Sequence, residues 1–276
     1  GAARTMKNVC FSWTRHVVLP CLMALWTCLA GSQAHAGEVL ARVRAQGELR
    51  VCIWPAYQGI TWRDPRSGRL AGLDIEMAEA LGADLHLPVV FVDSSFPALV
   101  PDLLGNRCDV AMFGIAMVPG RTEKLAFTAP YLHSDIHAIS LRTSRMVRQW
   151  ADIDQPGVLV GVQAGTYMEP VMRERLRHAS LVVITPPLTR ERELLAGRID
   201  VFMTDYPYGH AVAANVDWAA LIAPSRTFHM QPYAYASKPG DAEWLATLNA
   251  FVARVRQDGR LAAAAKRHGL ESITLP

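Results

Sequence analysis

Residues 49–54 read LRVCIW, a short and mostly apolar run that predicts a buried β-strand. The segment 73–85, LDIEMAEALGADL, carries apolar residues at nearly helical spacing, and VVFV at 89–92 predicts the next strand. Residues 96–104 predict a second helix, and DVAMF at 109–113 predicts a third strand. These five segments form a β-α-β-α-β unit, which is typical of a parallel sheet with helices on its faces.

The second half of the chain repeats this order of elements. Strands are predicted at 158–162, 181–184 and 201–203, and helices at 168–178 and 191–195. Two such units predict an α/β protein with two lobes. A ligand cleft would then lie between them, at the carboxyl ends of the parallel strands.

Two further strand-like segments connect the predicted lobes. They are the alternating segment 135–141 and the segment 232–236, PYAYA. Two chain crossings of this kind would act as a hinge. We therefore expect residues 37–138 together with 231–276 to form lobe 1, and residues 139–230 to form lobe 2.

The first 36 residues have the features of a secretory signal peptide. Three basic side chains precede an apolar run at 17–29, and Ala-His-Ala at 34–36 provides small residues before a cleavage site. The apolar run is shorter than the roughly 20 residues that a membrane-spanning helix needs. We therefore predict export to the periplasm with a mature N terminus near Gly37; an uncleaved membrane anchor is the alternative.

The composition and charge favour a folded protein without a nucleic-acid partner. Of the 276 residues, 51% are hydrophobic and 19% are charged, as in ordinary globular domains. The net charge of +3 comes from the first 36 residues, since the remaining chain has 25 basic and 25 acidic side chains. A balanced chain of this kind has no basic stripe for nucleic acid.

Two cysteines, Cys52 and Cys108, lie outside the predicted signal peptide. An even number of cysteines in an oxidising compartment suggests a disulfide. Both belong to predicted buried strands, which would allow a bridge if those strands are neighbours. The alternative is two buried thiols that pack as small hydrophobic groups.

Several short motifs occur in an order that resembles the polar-amino-acid family of bacterial extracellular solute-binding proteins. They are GLDIE (72–76), FPALVP (96–101), CDV (108–110), PGRTEK (119–124), FTAPY (127–131), GT (165–166), GRIDVFMTD (197–205) and DG (258–259). This resemblance implies two Rossmann-like lobes joined by two hinge strands. It also implies a monomer without cofactor or catalytic activity, which closes on an amino acid or related carboxylate for an inner-membrane ABC transporter permease.

The resemblance also implies the ligand contacts. Arg121 matches an arginine that binds the ligand carboxylate through two parallel hydrogen bonds, and Asp205 matches the acid that receives the ammonium group. Thr166 matches a residue at a helix start whose amides meet the carboxylate. The remaining expected ligand-binding positions are Trp54, Tyr57, Trp62, Phe96 and Gly114. Structural alternatives are a surface ion pair for Arg121, turn capping for Asp205 and core packing for the rings.

Two features depart from the family pattern or have a simpler explanation. Ala116 and Val118 stand where the family has hydroxyl residues, which predicts an altered carboxylate site. Thr166 and Glu169 have the spacing of a capping box, and we predict this role for Glu169.

Three rival functions follow from other patterns. Cyclohexadienyl dehydratases resemble the chain at 153–158 and 203–205, and Glu169 is the candidate general acid although it comes one residue later than in that enzyme pattern. Accessory proteins of periplasmic quinoprotein dehydrogenases resemble it in the two cysteine-bearing strands. His133, Asp135 and His137 alternate along the chain, so in a strand they would lie on one face and could bind a metal. We interpret them instead as part of a hinge strand and predict no metal.

Overall fold

The computed structural model of the protein describes residues 37–276, and the predicted signal peptide lies outside the described residues. The helices are α1 (Glu38–Gln46), α2 (Leu73–Asp84), α3 (Leu99–Leu104), α4 (Pro119–Thr122), α5 (Met168–Arg175), α6 (Arg190–Leu195), α7 (Tyr206–Asn215), α8 (Ala242–Gln257) and α9 (Arg260–Arg267), with 3-10 turns at Trp150–Asp152 and Glu271–Ile273. The strands are β1 (Leu49–Ile53), β2 (Ala56–Tyr57), β3 (Thr61–Arg63), β4 (Leu70–Ala71), β5 (Val89–Asp93), β6 (Val110–Ala116), β7 (Ala126–Phe127), β8 (Leu132–Ser134), β9 (Ile136–Leu141), β10 (Leu159–Gln163), β11 (Ser180–Ile184), β12 (Val201–Asp205), β13 (Ala219–Ile222) and β14 (Gln231–Ser237).

The first sheet has the strand order β5-β1-β6-β14-β7, and β8 also pairs with β14. Strand β1 lies parallel to both β5 and β6, whereas β14 runs antiparallel to β6. All seven residues of β6 are buried, which explains why this strand reads as a continuous apolar run. Strand β6 is thus covered on both faces of the sheet.

The second sheet has the order β11-β10-β12-β9-β13. Strand β10 is parallel to β11 and β12, and β9 runs antiparallel to β12. Each sheet therefore contains three parallel strands followed by one antiparallel strand. The predicted α/β class is confirmed.

The chain passes between the two sheets twice. Asp135 separates β8 of the first sheet from β9 of the second, and the segment 223–230 leads from β13 back to β14. The first passage lies at the start of the predicted hinge segment 135–141, and the second ends just before the predicted hinge segment 232–236. The lobe boundaries at 138/139 and 230/231 stay a prediction.

Local sequence determines where several elements begin and end. Helix α8 begins after Asp241, whose carboxylate accepts a hydrogen bond from the Trp244 N–H at 2.9 Å. Its apolar face buries Trp244, Leu248 and Phe251 at helical spacing. The helix predicted at 96–104 begins only at Leu99.

A disulfide joins Cys52 on β1 to Cys108, just before β6. The two strands are neighbours in the first sheet, with Cys52 beside Ala111 in the register. The predicted pairing is therefore confirmed, and the alternative of two free thiols is wrong. No helix among residues 37–276 is long and apolar enough to cross a membrane.

Candidate functional site

A cavity lies where strands of the first and second sheets end. Trp54 follows β1, Thr166 follows β10, and Asp205 is the last residue of β12. This is the carboxyl-end position at which open α/β sheets bind ligands. The cavity is lined by Trp54, Tyr57, Phe96, Gly114, Ala116, Arg121, Thr166, Tyr167, Met168, Arg190, Thr204, Asp205, Tyr208 and Tyr233.

Arg121 brings a buried positive charge to this cavity. It lies on α4 and is 7% exposed. Its Nη1 donates to the Ala116 carbonyl at 3.2 Å and its Nη2 to the Gly165 carbonyl at 3.3 Å, and its guanidinium lies 5.1 Å from the Phe96 ring centre. Burial lowers the pKa of Arg121. Within the described residues no carboxylate comes within 4.0 Å of its nitrogens, so the predicted surface ion pair is absent.

Asp205 brings a buried negative charge and is 3% exposed. Its Oδ1 accepts a hydrogen bond from the Tyr208 N–H at 3.0 Å and so caps α7. Its Oδ2 accepts from the Tyr233 hydroxyl at 2.6 Å and from the Tyr57 hydroxyl. Burial, followed by the charge of Asp205, raises the pKa of both tyrosines well above the usual value. Both phenols therefore stay protonated as donors, and Asp205 combines capping with a position in the cavity.

Four aromatic rings form one wall of the cavity. The Trp54 ring centre lies 5.4 Å from those of Tyr57 and Phe96, and 6.0 Å from that of Tyr208, on which it stacks. Aromatic side chains provide apolar surface and exclude water. Charged contacts inside such a wall are stronger than in open solvent.

Gly114 shapes the floor of the cavity. Its φ is +60°, a conformation that favours glycine, and a Cβ at this position would lie 3.0 Å from Tyr57 Cε2. Its N–H donates to Asp74 Oδ2 at 2.9 Å. Glycine at this position thus allows the Tyr57 ring to approach the backbone of β6.

The family model of bacterial extracellular solute-binding proteins, family 3, matches residues 49–271. The chain belongs to this family. It is 34% identical over 194 residues to the cyclohexadienyl dehydratase of Pseudomonas aeruginosa, an alignment that covers 69% of this chain and 71% of that protein. It is 24% identical to the L-cystine-binding protein TcyJ of Escherichia coli (strain K12) over 83% of this chain and 85% of that protein.

Among solved structures, the ancestral amino acid-binding protein AncCDT-1, described as a precursor of cyclohexadienyl dehydratase, superposes with a TM-score of 0.75 at 26% identity. The match covers 83% of this chain and 98% of that structure. The predicted family and fold are confirmed. Because the relatives of this family 3 chain include both an enzyme and binding proteins, the chemistry of the cavity must decide between these functions.

The residue at which the enzyme pattern places its acid is Met168, and Met168 lines the cavity. Glu169 is not among the lining residues, and its Oε2 pairs with Arg173 Nη2 at 3.2 Å. The predicted capping box is wrong. Helix α5 has no side-chain cap, because the Thr166 hydroxyl donates to the Gln163 carbonyl at 2.8 Å instead.

Seven of the eight expected ligand-binding positions line the cavity, and Trp62 does not. Trp62 lies on β3 in the small antiparallel sheet β2-β3-β4 and faces a separate groove beside His210 and Arg267. We therefore leave Trp62 out of the proposed site.

Five polar residues of the cavity were not predicted, and one of them, Thr204, directly precedes the predicted Asp205. Tyr208 follows Asp205 by one helical turn, and Tyr233 lies in the PYAYA segment that predicted a hinge strand, so both had a sequence signal. Tyr167 directly follows the predicted Gly-Thr motif. Arg190 is the first residue of α6, and nothing in its local sequence distinguishes it from a surface arginine.

The segment that carries His133, Asp135 and His137 has a structural role. Asp135 accepts hydrogen bonds from the N–H groups of Phe228 at 2.8 Å and His229 at 2.7 Å, and it lies between β8 and β9. Among residues 37–276, no group of three or more His, Cys, Asp or Glu side chains is placed to hold a metal ion.

Proposed function

We propose that this family 3 protein binds an amino acid or a related small carboxylate in the periplasm, as a monomer, and delivers it to an inner-membrane ABC transporter. One observation carries the proposal: Arg121 and Asp205, which have opposite charges and are both buried, line the same cavity. A zwitterion presents a carboxylate and an ammonium group to two such partners. No catalytic step is needed for this role.

The guanidinium of Arg121 is the expected partner of the ligand carboxylate. Its two hydrogen bonds to carbonyl groups hold its plane in place and leave further N–H groups for an anion. A fixed guanidinium can bind a carboxylate through two parallel hydrogen bonds. The loss of Ser or Thr at Ala116 and Val118 leaves Arg121 as the main contact at this end.

Asp205 is the expected partner of the ammonium group, and it also connects the two sheets. It belongs to the second sheet, whereas its donor Tyr233 belongs to β14 of the first sheet. Closure of the cleft therefore brings hydroxyl donors and the carboxylate together. A ligand that contacts both sides favours the closed form over the open one.

A thermal-shift screen of the purified protein tests the proposal. The screen uses the twenty amino acids, small dicarboxylates, polyamines and prephenate, because a ligand that binds only the folded state raises the melting temperature. We expect a clear shift with at least one amino acid. The variant R121A should bind that amino acid about 30-fold more weakly or worse, since it removes one partner of a buried charge pair. The control K124A removes an exposed charge three residues away and should bind normally. A screen without any shift would contradict the proposal.

Dehydratase activity is the second candidate function, because one relative with 34% identity is a cyclohexadienyl dehydratase. The cavity disfavours it, since Met168 replaces the acid and Glu169 pairs with Arg173 outside the lining. Incubation with prephenate distinguishes the two functions. We expect no absorbance from an aromatic keto acid; product formation that E169Q abolishes would establish the enzyme instead.

A further inference from the structure

We propose that the ligand carries a second carboxylate and that Arg190 binds it, so that the preferred ligand is an acidic α-amino acid. This inference rests on the proposed function and names the substrate class of the same cavity. It concerns a residue that the motifs of the chain did not predict.

Arg190 is a buried cation that lines the cavity and has N–H donors left for a ligand. It is 3% exposed and lines the cavity. Its Nη1 donates to the Met203 carbonyl at 2.9 Å, and its guanidinium lies 4.4 Å from the Tyr208 ring centre. An arginine side chain has five N–H donors. Among the described residues, no carboxylate lies within 4.0 Å of its nitrogens, and the neighbouring Glu191 accepts from the Tyr208 hydroxyl instead.

The charges that line the cavity do not balance. They are the cations Arg121 and Arg190 and the single anion Asp205. A neutral amino acid would pair with Arg121 and Asp205 and would leave Arg190 without an anion. A buried charge without a partner is unfavourable. A ligand with one ammonium group and two carboxylates would pair with all three.

The two guanidiniums lie at opposite ends of a row of aromatic rings. Arg121 lies over Phe96, Phe96 is next to Trp54, and Trp54 stacks on Tyr208, over which Arg190 lies. A ligand with a carboxylate at each end and methylene groups between them would lie along this row. A basic amino acid would place its cationic end against Arg190, so we expect weak binding of L-arginine.

Calorimetric titration of the purified protein tests the charge requirement directly. The ligands are L-aspartate, L-glutamate and L-2-aminoadipate, which differ only in length, together with L-glutamine and L-arginine. We expect the best acidic ligand to bind about 30-fold tighter than L-glutamine, because an unpaired buried charge costs at least this much. This comparison uses the unmodified protein and does not depend on any variant folding.

Three variants test whether Arg190 is the source of the preference for acidic ligands. R190Q should weaken the best acidic ligand by about 30-fold and should bind L-glutamine at least as tightly as the unmodified protein does, because the variant leaves no unpaired guanidinium beside a neutral ligand. R190K keeps the charge without the planar donor group and should have an intermediate affinity. The control R192Q removes an exposed charge from the same helix and should bind as the unmodified protein does.

The outcomes separate this inference from the proposed function. If L-glutamine or L-arginine binds as tightly as the best acidic ligand, the inference of a second ligand carboxylate is wrong and the proposed function stands. The inference is also wrong if R190Q weakens all ligands equally. If no amino acid binds, the proposed function itself fails.

Discussion

Two buried aspartates, Asp74 and Asp205, have nearly the same hydrogen-bond partners in different surroundings. Each accepts from two tyrosine hydroxyls and from one backbone N–H. Asp205 lines the ligand cavity, whereas Asp74 is 0% exposed and lies outside that lining. The same kinds of donor thus surround a carboxylate that can bind a ligand, Asp205, and a carboxylate that only packs, Asp74. The two differ because only Asp205 lines the cavity.

Asp74 lies at the start of α2 behind the cavity floor. Its Oδ2 accepts from the Gly114 N–H and the Tyr131 hydroxyl, and its Oδ1 accepts from the Tyr235 hydroxyl at 2.8 Å. Burial raises the pKa of Asp74 to about 6, although the three hydrogen bonds act in the opposite direction. Desolvation of the carboxylate therefore outweighs its hydrogen bonds.

Strand β14 connects the two aspartate sites. Tyr233 donates to Asp205 and Tyr235 donates to Asp74, two residues apart on one strand. The register of β14 shifts between Ala234 and Ala236, beside Tyr235. One hinge strand thus contacts both the binding site and the packed interior.

The largest expected difference between the two sites is in ligand affinity. D205N should weaken the best amino-acid ligand by about 1000-fold, about 4 kcal/mol, because it removes the anion that pairs with the ammonium group. The unfolding free energy should fall by about 2 kcal/mol, since asparagine has one acceptor oxygen and cannot serve both the helix cap and the two tyrosine hydroxyls. D74N is the matched control and should leave affinity within about threefold. Equal losses in both variants would show that the sites do not differ in function.

The pH dependence of the unfolding free energy should show the buried Asp74 carboxyl group as distinct from an exposed one. Its folded pKa of about 6 lies above the unfolded value near 3.8, so the folded state binds the proton more tightly. Its contribution to stability is fully present below about pH 4 and is lost as the pH rises through about 6. Between pH 7.5 and pH 4 the unmodified protein should therefore gain about 2.4 kcal/mol relative to D74N, because at pH 4 the unfolded state also binds part of a proton.

Urea unfolding at a series of pH values measures this gain. The control D217N changes an exposed aspartate and should keep the pH profile of the unmodified protein. The comparison removes the contribution of other carboxyl groups, because they are common to both proteins. If the free energies of D74N and the unmodified protein stay parallel from pH 7.5 to pH 4, Asp74 does not titrate as proposed.

The sequence predicted the central strands well and the tyrosine contacts poorly. Strands β1, β6 and β12 are largely buried and mostly apolar, so their positions were predicted to within a few residues. Helix α7 was not predicted. Pro207 lies in its first turn, where proline is tolerated, and the Asp205 cap and tertiary packing outweigh the low helix preference of Gly209.

The placement of the site residues depended on long-range pairing. Arg121 lies on the short helix that follows β6, and Asp205 is the last residue of β12, so their place near the strand ends could be predicted. The partners of Tyr131 and Tyr235 could not, because they depend on the pairing of β14 with β6 and β8 across more than ninety residues. Trp62 was placed wrongly near the ligand rings because the pairing of β2, β3 and β4 has no clear sequence signal.

The smallest expected differences come from the two tyrosines of β14. Y235F removes a donor from Asp74, and the loss of a hydrogen bond to a charged group should lower the unfolding free energy by about 2 kcal/mol without a change in affinity. Y233F should lower it by a similar amount and should weaken ligand binding only about fivefold, because Asp205 keeps its bonds from Tyr57 and the Tyr208 N–H. Urea unfolding and calorimetric titration of both variants measure the two effects separately. If Y235F weakened binding as much as Y233F does, the Asp74 site would be coupled to the cavity through β14, and its role would not be limited to packing.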